Sequence, residues 1–262
     1  MNCGFGIMKN RQITDTIEKF APLQLAEPWD NPGLMMGNLD DECRGVIVAL
    51  DLTKDVVRQA IEQGCNLIVT HHPFFFSAIK CIDTSVSKGG IIEDVLKNGL
   101  TVYSAHTNLD ECEGGLCMSL ATLLGGENLA PNGVGVVCDV KVQSLEKFAK
   151  HVANTLKDDS VKYTGEGSKT IEKALVICGG GANDDAYENA KQNADVFVSG
   201  DFKHHLYVAS ENDDFPIVEF SHYSSEIIVQ NLFEQIIAPT GVSIIKAKQN
   251  RPFKTVGGYN EI

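Results

Sequence analysis

Residues 45–70 read GVIVALDLTKDVVRQAIEQGCNLIVT, and this stretch decides the fold class. Two continuous apolar runs of strand length, GVIVALD (45–51) and CNLIVT (65–70), enclose a segment with the spacing of a helix. Thr53 suits the N-cap of that helix, and Gly64 suits its C-terminal stop. Strands joined by crossover helices form mainly parallel sheets that are covered on both faces. The stretch therefore predicts an α/β protein.

The same alternation continues along the chain. Further strands are predicted at LTVYSAH (100–106), VGVVCDVKV (134–142), KALVICGGG (173–181), DVFVSGD (195–201), FPIVEFS (215–221) and GVSIIKAK (241–248). Further helices are predicted at 13–23 with Thr14 as a cap, at 88–99, 114–125, 145–156 and 184–194, from about residue 203, and at 224–237. The pattern indicates two interleaved α/β lobes with mainly parallel sheets.

The lobes are expected to form a single bilobal domain over residues 1–262. Lobe one covers about 8–130 plus the C-terminal segment, and lobe two covers about 131–220. The polar run DDSVKYTGEGSKTIEK (158–173) is expected to be a surface loop or a lobe boundary.

Composition excludes several classes of protein. The net charge is -13 with a sequence pI near 4.9, and there is no basic run of the kind that binds a nucleic-acid backbone. There is no apolar stretch of the ~20 residues that a membrane helix needs, and the N-terminus does not resemble a signal peptide. We expect a cytoplasmic protein, with residues 1–7 as a disordered extension before Met8. Its eight scattered cysteines are expected to be reduced.

Four predicted strands end on ionisable residues. The ionisable residues at these four strand ends are Asp51, the pair His71-His72, the stretch from His106 to Asp110, and His222. In parallel sheets, functional groups gather beyond the carboxyl ends of strands. The strand ends are therefore the candidate site.

The pair His71-His72 has two interpretations. Side chains of successive strand residues point to opposite faces, so a regular strand cannot direct both imidazoles at one metal ion. At a strand end the chain turns, and Pro73 confines His72 to extended geometry. The pair then suits two metals, or one metal and a substrate; the alternative is an ordinary pair of loop histidines.

The stretch AHTNLDECEGG (105–115) also has two interpretations. Asp110 suits either a metal ligand or simple capping ahead of a glycine-rich helix start. His106 suits a role in orienting such a ligand.

His222 and Glu226 are four residues apart, so they lie on one helix face if the helix begins by residue 222. Such a pair can hold a transition metal, although the motif alone is weak. SGDFKHHL (199–206) adds Asp201, His204 and His205 at another strand end. Six of the seven histidines fall in these clusters, and together the clusters favour a metal site.

The glycines of CGGGAND (178–184) lie at a strand-to-helix turn, where backbone N–H groups can hold an anion. A tight structural turn is the alternative. The stretch lacks the ending of a Walker loop and fits a dinucleotide fingerprint poorly.

At these residues the chain resembles the NGG-interacting-factor-three-like proteins, a dinuclear-metal family often named GTP cyclohydrolase type 2 homologues. The resemblance spans nearly the whole chain, in the family's order. The matching stretches are LAEPWDNPGLMMGN (25–38), VTHHPFFF (69–76), YSAHTNLD (103–110), GDFKHH (200–205) and SHYSSE (221–226).

The resemblance implies a dinuclear metal cleft between the two lobes, without an inserted middle domain. The implied ligands of two divalent transition-metal ions are His71, His72, Asp110, His222 and Glu226. Mixed imidazole and carboxylate ligation suits zinc, iron, manganese, nickel or cobalt.

The resemblance further implies supporting or substrate-facing roles for four residues, Trp29, Asn31, His106 and His204. It also implies a toroidal homohexamer, built as a trimer of dimers. This chain departs from the family pattern at Ser221, where the family often has glycine.

The expected function is metal-dependent hydrolysis, either in a GTP cyclohydrolase-like reaction or of a phosphate ester. A small nucleotide or phosphate is therefore the expected substrate, although no base-reading motif selects guanine. The alternative is a regulatory or scaffold protein that binds metal without catalysis.

Overall fold

The computed structural model describes residues 8–256, and these residues divide into two compact units. The first comprises 8–115 and 229–249, and the second comprises 116–228 and 250–256. The grouping of these units into one bilobal domain, with lobe boundaries near residues 130 and 220, stays a prediction.

The polar run 158–173 lies inside the second unit. The expectation for residues 1–7 falls outside the described part of the chain. Between residues 8 and 256 there is no helix that is both long and apolar enough to cross a membrane.

Helices and strands alternate through much of the chain, as the sequence predicts. The helices are α1 (Asn10–Phe20), α2 (Lys54–Glu62), α3 (Ser87–Lys97), α4 (Thr107–Glu111), α5 (Leu116–Leu123), α6 (Leu145–Leu156), α7 (Asp184–Asn193), α8 (His204–Asp213), α9 (His222–Glu226) and α10 (Val229–Ile237). The strands are β1 (Gly33–Met36), β2 (Val46–Ala49), β3 (Leu67–Thr70), β4 (Thr101–Ser104), β5 (Glu127–Asn132), β6 (Gly135–Ser144), β7 (Lys162–Tyr163), β8 (Thr170–Val176), β9 (Val196–Ser199), β10 (Ile217–Glu219) and β11 (Ile244–Lys246).

The first unit contains a five-stranded sheet in the order β1-β4-β3-β2-β11. The four strands from β4 to β11 are parallel, and β1 pairs antiparallel with β4 at the edge. This sheet is mainly parallel, as predicted, although the sequence reasoning did not identify β1 as a strand. The register of β1 and β4 places Gly33 opposite Ser104.

The strands β2, β3 and β4 are buried on both faces, as in other parallel sheets. On one face, Ile47, Ile68 and Val102 pack with Val56 of α2 and Val95 of α3. The other face is covered by α10, which packs against β2 and β11 and also against α1. The apolar runs of the sequence are therefore the core of this unit.

The second unit contains a six-stranded sheet in the order β5-β6-β8-β9-β10-β7. Only β8, β9 and β10 run parallel to one another, so this sheet is mixed rather than mainly parallel. One cause is local: Asn132 pairs with Gly135 across a two-residue turn in which Gly133 has a φ of +57°. Glycine at the first central position suits a hairpin turn, and this turn joins β5 to β6 as antiparallel neighbours.

Helix ends follow the predicted signals in one case and not in another. Thr53 caps α2, since its side chain accepts a hydrogen bond from the backbone N–H of Val56, and Gly64 has a φ of +71° after the helix. The prediction of Thr14 as a cap is wrong, because α1 begins earlier and Thr14 is buried within it. Its N-cap is Lys9.

Candidate metal centre

The first cluster lies where β3 and β4 end, and His71 is its most buried member. Its side chain is 0% exposed, and Nδ1 lies 2.9 Å from the carbonyl oxygen of Ala105, to which Nδ1–H can donate. That bond leaves Nε2 as the atom able to bind a metal. Nε2 lies 3.5 Å from Oδ1 of Asp110, so an imidazole nitrogen and a carboxylate oxygen converge.

His72 is oriented in the same way by a carboxylate. Its Nδ1 lies 2.8 Å from Oδ1 of Asp51, which follows the end of β2. The carboxylate therefore holds the ring through Nδ1 and fixes the ring proton there, so Nε2 carries the lone pair. Neighbouring parallel strands end at one edge of the sheet, and for this reason residues 21 positions apart meet.

His106 is held by Asp30, a residue that the sequence reasoning passed over. His106 Nδ1 lies 2.8 Å from Asp30 Oδ1, and Asp30 Oδ2 accepts hydrogen bonds from the backbone N–H and the hydroxyl of Thr107. Burial alone would raise the pKa of Asp30, but the hydrogen bonds from His106 and Thr107 outweigh it and hold the pKa at about 2. The carboxylate is therefore ionised at neutral pH. In the sequence, the feature that could have identified Asp30 is its position within WDNP, between Trp29 and Asn31.

The three imidazoles form one group. The ring centroids of His71 and His72 are 5.2 Å apart, and that of His106 is 5.1 Å from the first and 5.5 Å from the second. One nitrogen from each ring lies within 4.8 Å of the others. This group could hold a metal ion, and in it His106 is placed as a potential ligand rather than only as a supporting residue.

Acidic side chains crowd beside Asp110, at the end of α4. The pKa of Glu111 is raised to about 7 by burial, then by the neighbouring carboxylate of Glu27 and by that of Asp110. Carboxylates crowded together resist ionisation, and a divalent cation relieves such repulsion.

The second cluster lies at the start of α9. This helix begins at His222, as the spacing of the pair required, and Ser221 caps it by accepting a hydrogen bond from the backbone N–H of Ser224. His222 Nε2 lies 2.9 Å from Oε2 of Glu226, whose side chain is 4% exposed. His222 Nδ1 lies 2.8 Å from Oδ2 of Asp201, so this ring too is oriented by a carboxylate.

The glycine-rich stretch 178–184 packs against this second cluster. Gly179 has a φ of +59°, and a Cβ atom at this position would collide with the carboxylate of Glu226. Its backbone N–H donates to the hydroxyl of Ser225 at 3.0 Å. In the structure this glycine makes room for a buried carboxylate, which supports the interpretation of the stretch as a tight structural turn.

Other predicted residues lie outside the two clusters. His204 is exposed at the first residue of α8 and takes no part in the metal-ligating groups found among residues 8–256. Trp29 is 61% exposed and touches the ring of His106 edge-on, with centroids 5.9 Å apart. Asn31 donates to the carbonyl of Phe75 at 2.6 Å, which fixes this segment beside the cluster.

The donor chemistry of both clusters fits divalent transition metals. Four imidazoles are each fixed through Nδ1 by a carbonyl or a carboxylate, an arrangement typical of metal-binding histidines. Carboxylates of Asp110 and Glu226 lie beside two of the Nε2 atoms. These clusters could therefore hold metal ions.

Comparison with known proteins identifies the family of this chain and agrees with its fold. A family model described as Duf34/NIF3 (NGG1p interacting factor 3) matches residues 8–252. A relative from Clostridium acetobutylicum, named GTP cyclohydrolase 1 type 2 homolog, is 32% identical in an alignment 267 residues long that covers 94% of this chain and 98% of the relative. A relative of the same name from Methanocaldococcus jannaschii is 32% identical over 235 residues, covering 88% and 95%.

Two solved structures show the same fold. Staphylococcus aureus protein SA1388 superposes with a TM-score of 0.88 at 27% identity, covering 95% of this chain and 99% of that one. Reduced HcgD from Methanocaldococcus jannaschii superposes with a TM-score of 0.81 at 31% identity, covering 92% and 98%. The chain therefore belongs to the Duf34/NIF3 family.

Proposed function

We propose that this chain binds two divalent transition-metal ions and hydrolyses a small nucleotide or phosphate ester. The proposed ligands are His71, His72 and Asp110 from the first cluster and His222 and Glu226 from the second. The observation that carries the proposal is the orientation of these imidazoles, each anchored at Nδ1 and presenting Nε2.

Zinc, iron, manganese, nickel and cobalt all suit this ligand set, because it combines imidazole and carboxylate without thiolate. When bound, such ions act as Lewis acids on a carbonyl or phosphoryl oxygen and lower the pKa of water. The protein contributes the rigid strand and helix ends that fix the ligands in place.

The pair Asp30–His106 suits proton transfer in this reaction. The Asp30 carboxylate is ionised at neutral pH, since its pKa is held at about 2. It fixes the proton of His106 on Nδ1, which leaves Nε2 able to accept a proton from a nucleophile and deliver it to a leaving group. We assign His106 this role within the proposed function.

The substrate class rests on the relatives' name, GTP cyclohydrolase 1 type 2 homolog. That name supports a nucleotide, and the ligand set supports hydrolysis of a phosphate ester equally well. We therefore propose the class of small nucleotides and phosphate esters, and no single member of it.

We further propose that the chain assembles as a homohexamer, a trimer of dimers. Support comes from the family resemblance and from large apolar side chains that the single chain leaves exposed. Examples are Ile79, Ile82 and Val86, which are 45%, 52% and 53% exposed. Light scattering on the purified protein tests this proposal, since a monomer in dilute solution contradicts it.

Hydrolysis is tested by assaying chelator-treated protein, reloaded with each of the five metals, against a panel of nucleotides and phosphate esters. We expect turnover that depends on metal and is lost in His72→Ala. His106→Gln should retain its metal but lose turnover by at least ~100-fold, the usual contribution of a general acid–base group. If metal binds and neither nucleotide nor ester is turned over above the His72→Ala background, the regulatory or scaffold alternative replaces hydrolysis.

A further inference from the structure

Two cysteines that are 61 residues apart in sequence meet inside the second unit. The Sγ atoms of Cys117 and Cys178 are 3.0 Å apart. Cys117 lies in the first turn of α5, and Cys178 lies just beyond the end of β8. Both are buried, with 1% and 5% of their surface exposed. Burial suits small apolar packing, but the separation of the sulfur atoms also places them ready to bond.

We propose that Cys117 and Cys178 are a modification site: peroxide oxidises them to a reversible disulfide, and this disulfide lowers the metal affinity of the His222–Glu226 cluster. A disulfide has an S–S distance of about 2.0 Å, so the sulfur atoms need to approach by about 1 Å. The neighbouring elements α5 and β8 pack directly against each other, and a small shift of either one closes this gap.

The oxidant follows from the burial of the pair. A bulky disulfide such as oxidised glutathione has no direct access to two buried sulfurs, whereas hydrogen peroxide is small enough to enter by local opening. One thiolate attacks peroxide, the O–O bond breaks, and a molecule of water and a sulfenic acid result. The second thiol attacks the sulfenic sulfur and a second water leaves. Two thiols and one peroxide thus give one disulfide and two waters.

The link to the metal ligands runs through the next residue, Gly179. Its N–H donates to the hydroxyl of Ser225, and that hydroxyl donates to the carbonyl of His222 at 2.8 Å. Gly179 also lies so close to the Glu226 carboxylate that even a methyl group would not fit. A shift of Cys178 on oxidation therefore moves backbone that contacts both ligands of this cluster.

Three other buried thiols provide controls. Burial raises the pKa of Cys138 to about 11, and burial also raises the pKa values of Cys43 and Cys65. Thiols with raised pKa values are poor nucleophiles at neutral pH. We expect these three thiols to react slowly with peroxide.

The chemical step is tested on the whole, metal-loaded protein by titration with hydrogen peroxide. Residual thiols are blocked with N-ethylmaleimide after denaturation, and the peptides are mapped by mass spectrometry. The expected first product is a Cys117–Cys178 cross-linked peptide that dithiothreitol reverses. It should be absent from Cys117→Ser and from Cys178→Ser, and present in Cys138→Ser. Alkylation of both cysteines while other thiols are oxidised, or a cross-link to a different cysteine, overturns the site.

The effect on metal binding rests on the proposed function, and a competition titration of zinc against a chromogenic chelator tests it separately. Oxidised wild-type protein should bind zinc at least ~10-fold more weakly than reduced protein, as expected when the support of a ligand is disturbed. Peroxide-treated Cys117→Ser, whose fold is checked by circular dichroism, should show no change. A cross-link without loss of affinity overturns the coupling. Failure of the reduced protein to bind zinc at all refutes the proposed function and leaves the cross-link standing.

Discussion

Asp30 and His106 lie 76 residues apart in the sequence, and their side chains meet at 2.8 Å. The antiparallel pairing of β1 with β4 causes this contact, because it places Gly33 opposite Ser104 and so carries the residues just before β1 alongside those just after β4. The strand that the sequence reasoning missed is thus the one that delivers the carboxylate. The pair fixes one imidazole of the first cluster.

Asp30→Asn should lower metal-dependent turnover without unfolding the protein. The new amide can donate to Nδ1 of His106, which moves the ring proton to Nε2 and blocks Nε2 as a proton acceptor. We expect turnover at least ~100-fold lower, as for the loss of a general acid–base group, while the zinc content stays at the wild-type value. Asp40→Asn, which changes an exposed carboxylate paired with Arg11, is the control and should turn over substrate as wild type does. Equal turnover in the two variants would refute the assigned role.

Asp201→Asn should weaken metal binding at the second cluster. Asp201 holds Nδ1 of His222 and has a φ of +58°, a conformation that asparagine tolerates. Loss of the carboxylate should reduce zinc affinity by about 10- to 100-fold. A matched control is Asp184→Asn, since Asp184 lies 2.8 Å from Nε2 of the exposed His205 outside both clusters. Isothermal titration calorimetry with zinc measures the affinity of both variants. An equal loss of zinc affinity in Asp184→Asn would argue against a specific effect of Asp201.

Gly179→Ala should disturb Glu226 through a direct collision. Gly64→Ala is the matched control, because Gly64 also has a positive φ but has no atom within 4 Å of the added Cβ. The control should destabilise the protein by about 1 kcal/mol, the usual penalty for a left-handed alanine. Gly179→Ala should lower the free energy of urea unfolding by more than this and also reduce metal uptake. Similar unfolding free energies for the two variants would show that the collision is relieved without consequence.

Asp158 should stabilise the helix that carries the second cluster, in a manner that depends on pH. Its side chain is 0% exposed, and it accepts hydrogen bonds from Ser160, from the backbone N–H of Ser221 and from Arg251. Burial alone would raise the pKa of Asp158, but the hydrogen bonds from Ser160 and Ser221 outweigh it and lower the pKa below its ordinary value. The stabilisation is therefore complete above the unfolded pKa of about 3.9 and is lost as the pH falls through the folded pKa.

Asp158→Asn should accordingly lower the free energy of urea unfolding by about 2 kcal/mol at pH 7. The difference in unfolding free energy between Asp158→Asn and wild type should shrink at the lowest pH values at which the protein remains folded. The neighbouring Asp159→Asn changes a carboxylate that is 61% exposed and should have an effect below about 1 kcal/mol. A difference between Asp158→Asn and wild type that does not change with pH would contradict the titration argument.

The sequence predicted the four parallel strands of the first sheet because these strands are continuous apolar runs with clear helix signals between them. Thr53 and Gly64 mark the ends of α2 where expected. The hairpin of β5 and β6 was missed, although Gly133 carries its signal, because the alternation of strands and helices elsewhere favoured a parallel interpretation.

For the candidate site, local sequence located the residues but not their partners. The strand-end rule pointed to His71, His72 and His222 without any contact information. It could not reveal that Asp30 faces His106, because that contact depends on the register of a non-local strand pair. Nor could spacing decide whether Gly179 cradles a phosphate or a side chain, since that depends on where α9 packs.

The measurement that tests the central claim most directly is the metal content per chain by plasma mass spectrometry. Protein purified without chelator should carry about two ions per chain, and His71→Ala and Glu226→Ala should each lose most of this metal. His204→Ala, which changes an exposed histidine outside both clusters, should retain it. Wild-type protein that carries almost no metal and takes up none on titration, or variants that keep the wild-type content, would contradict the metal centre.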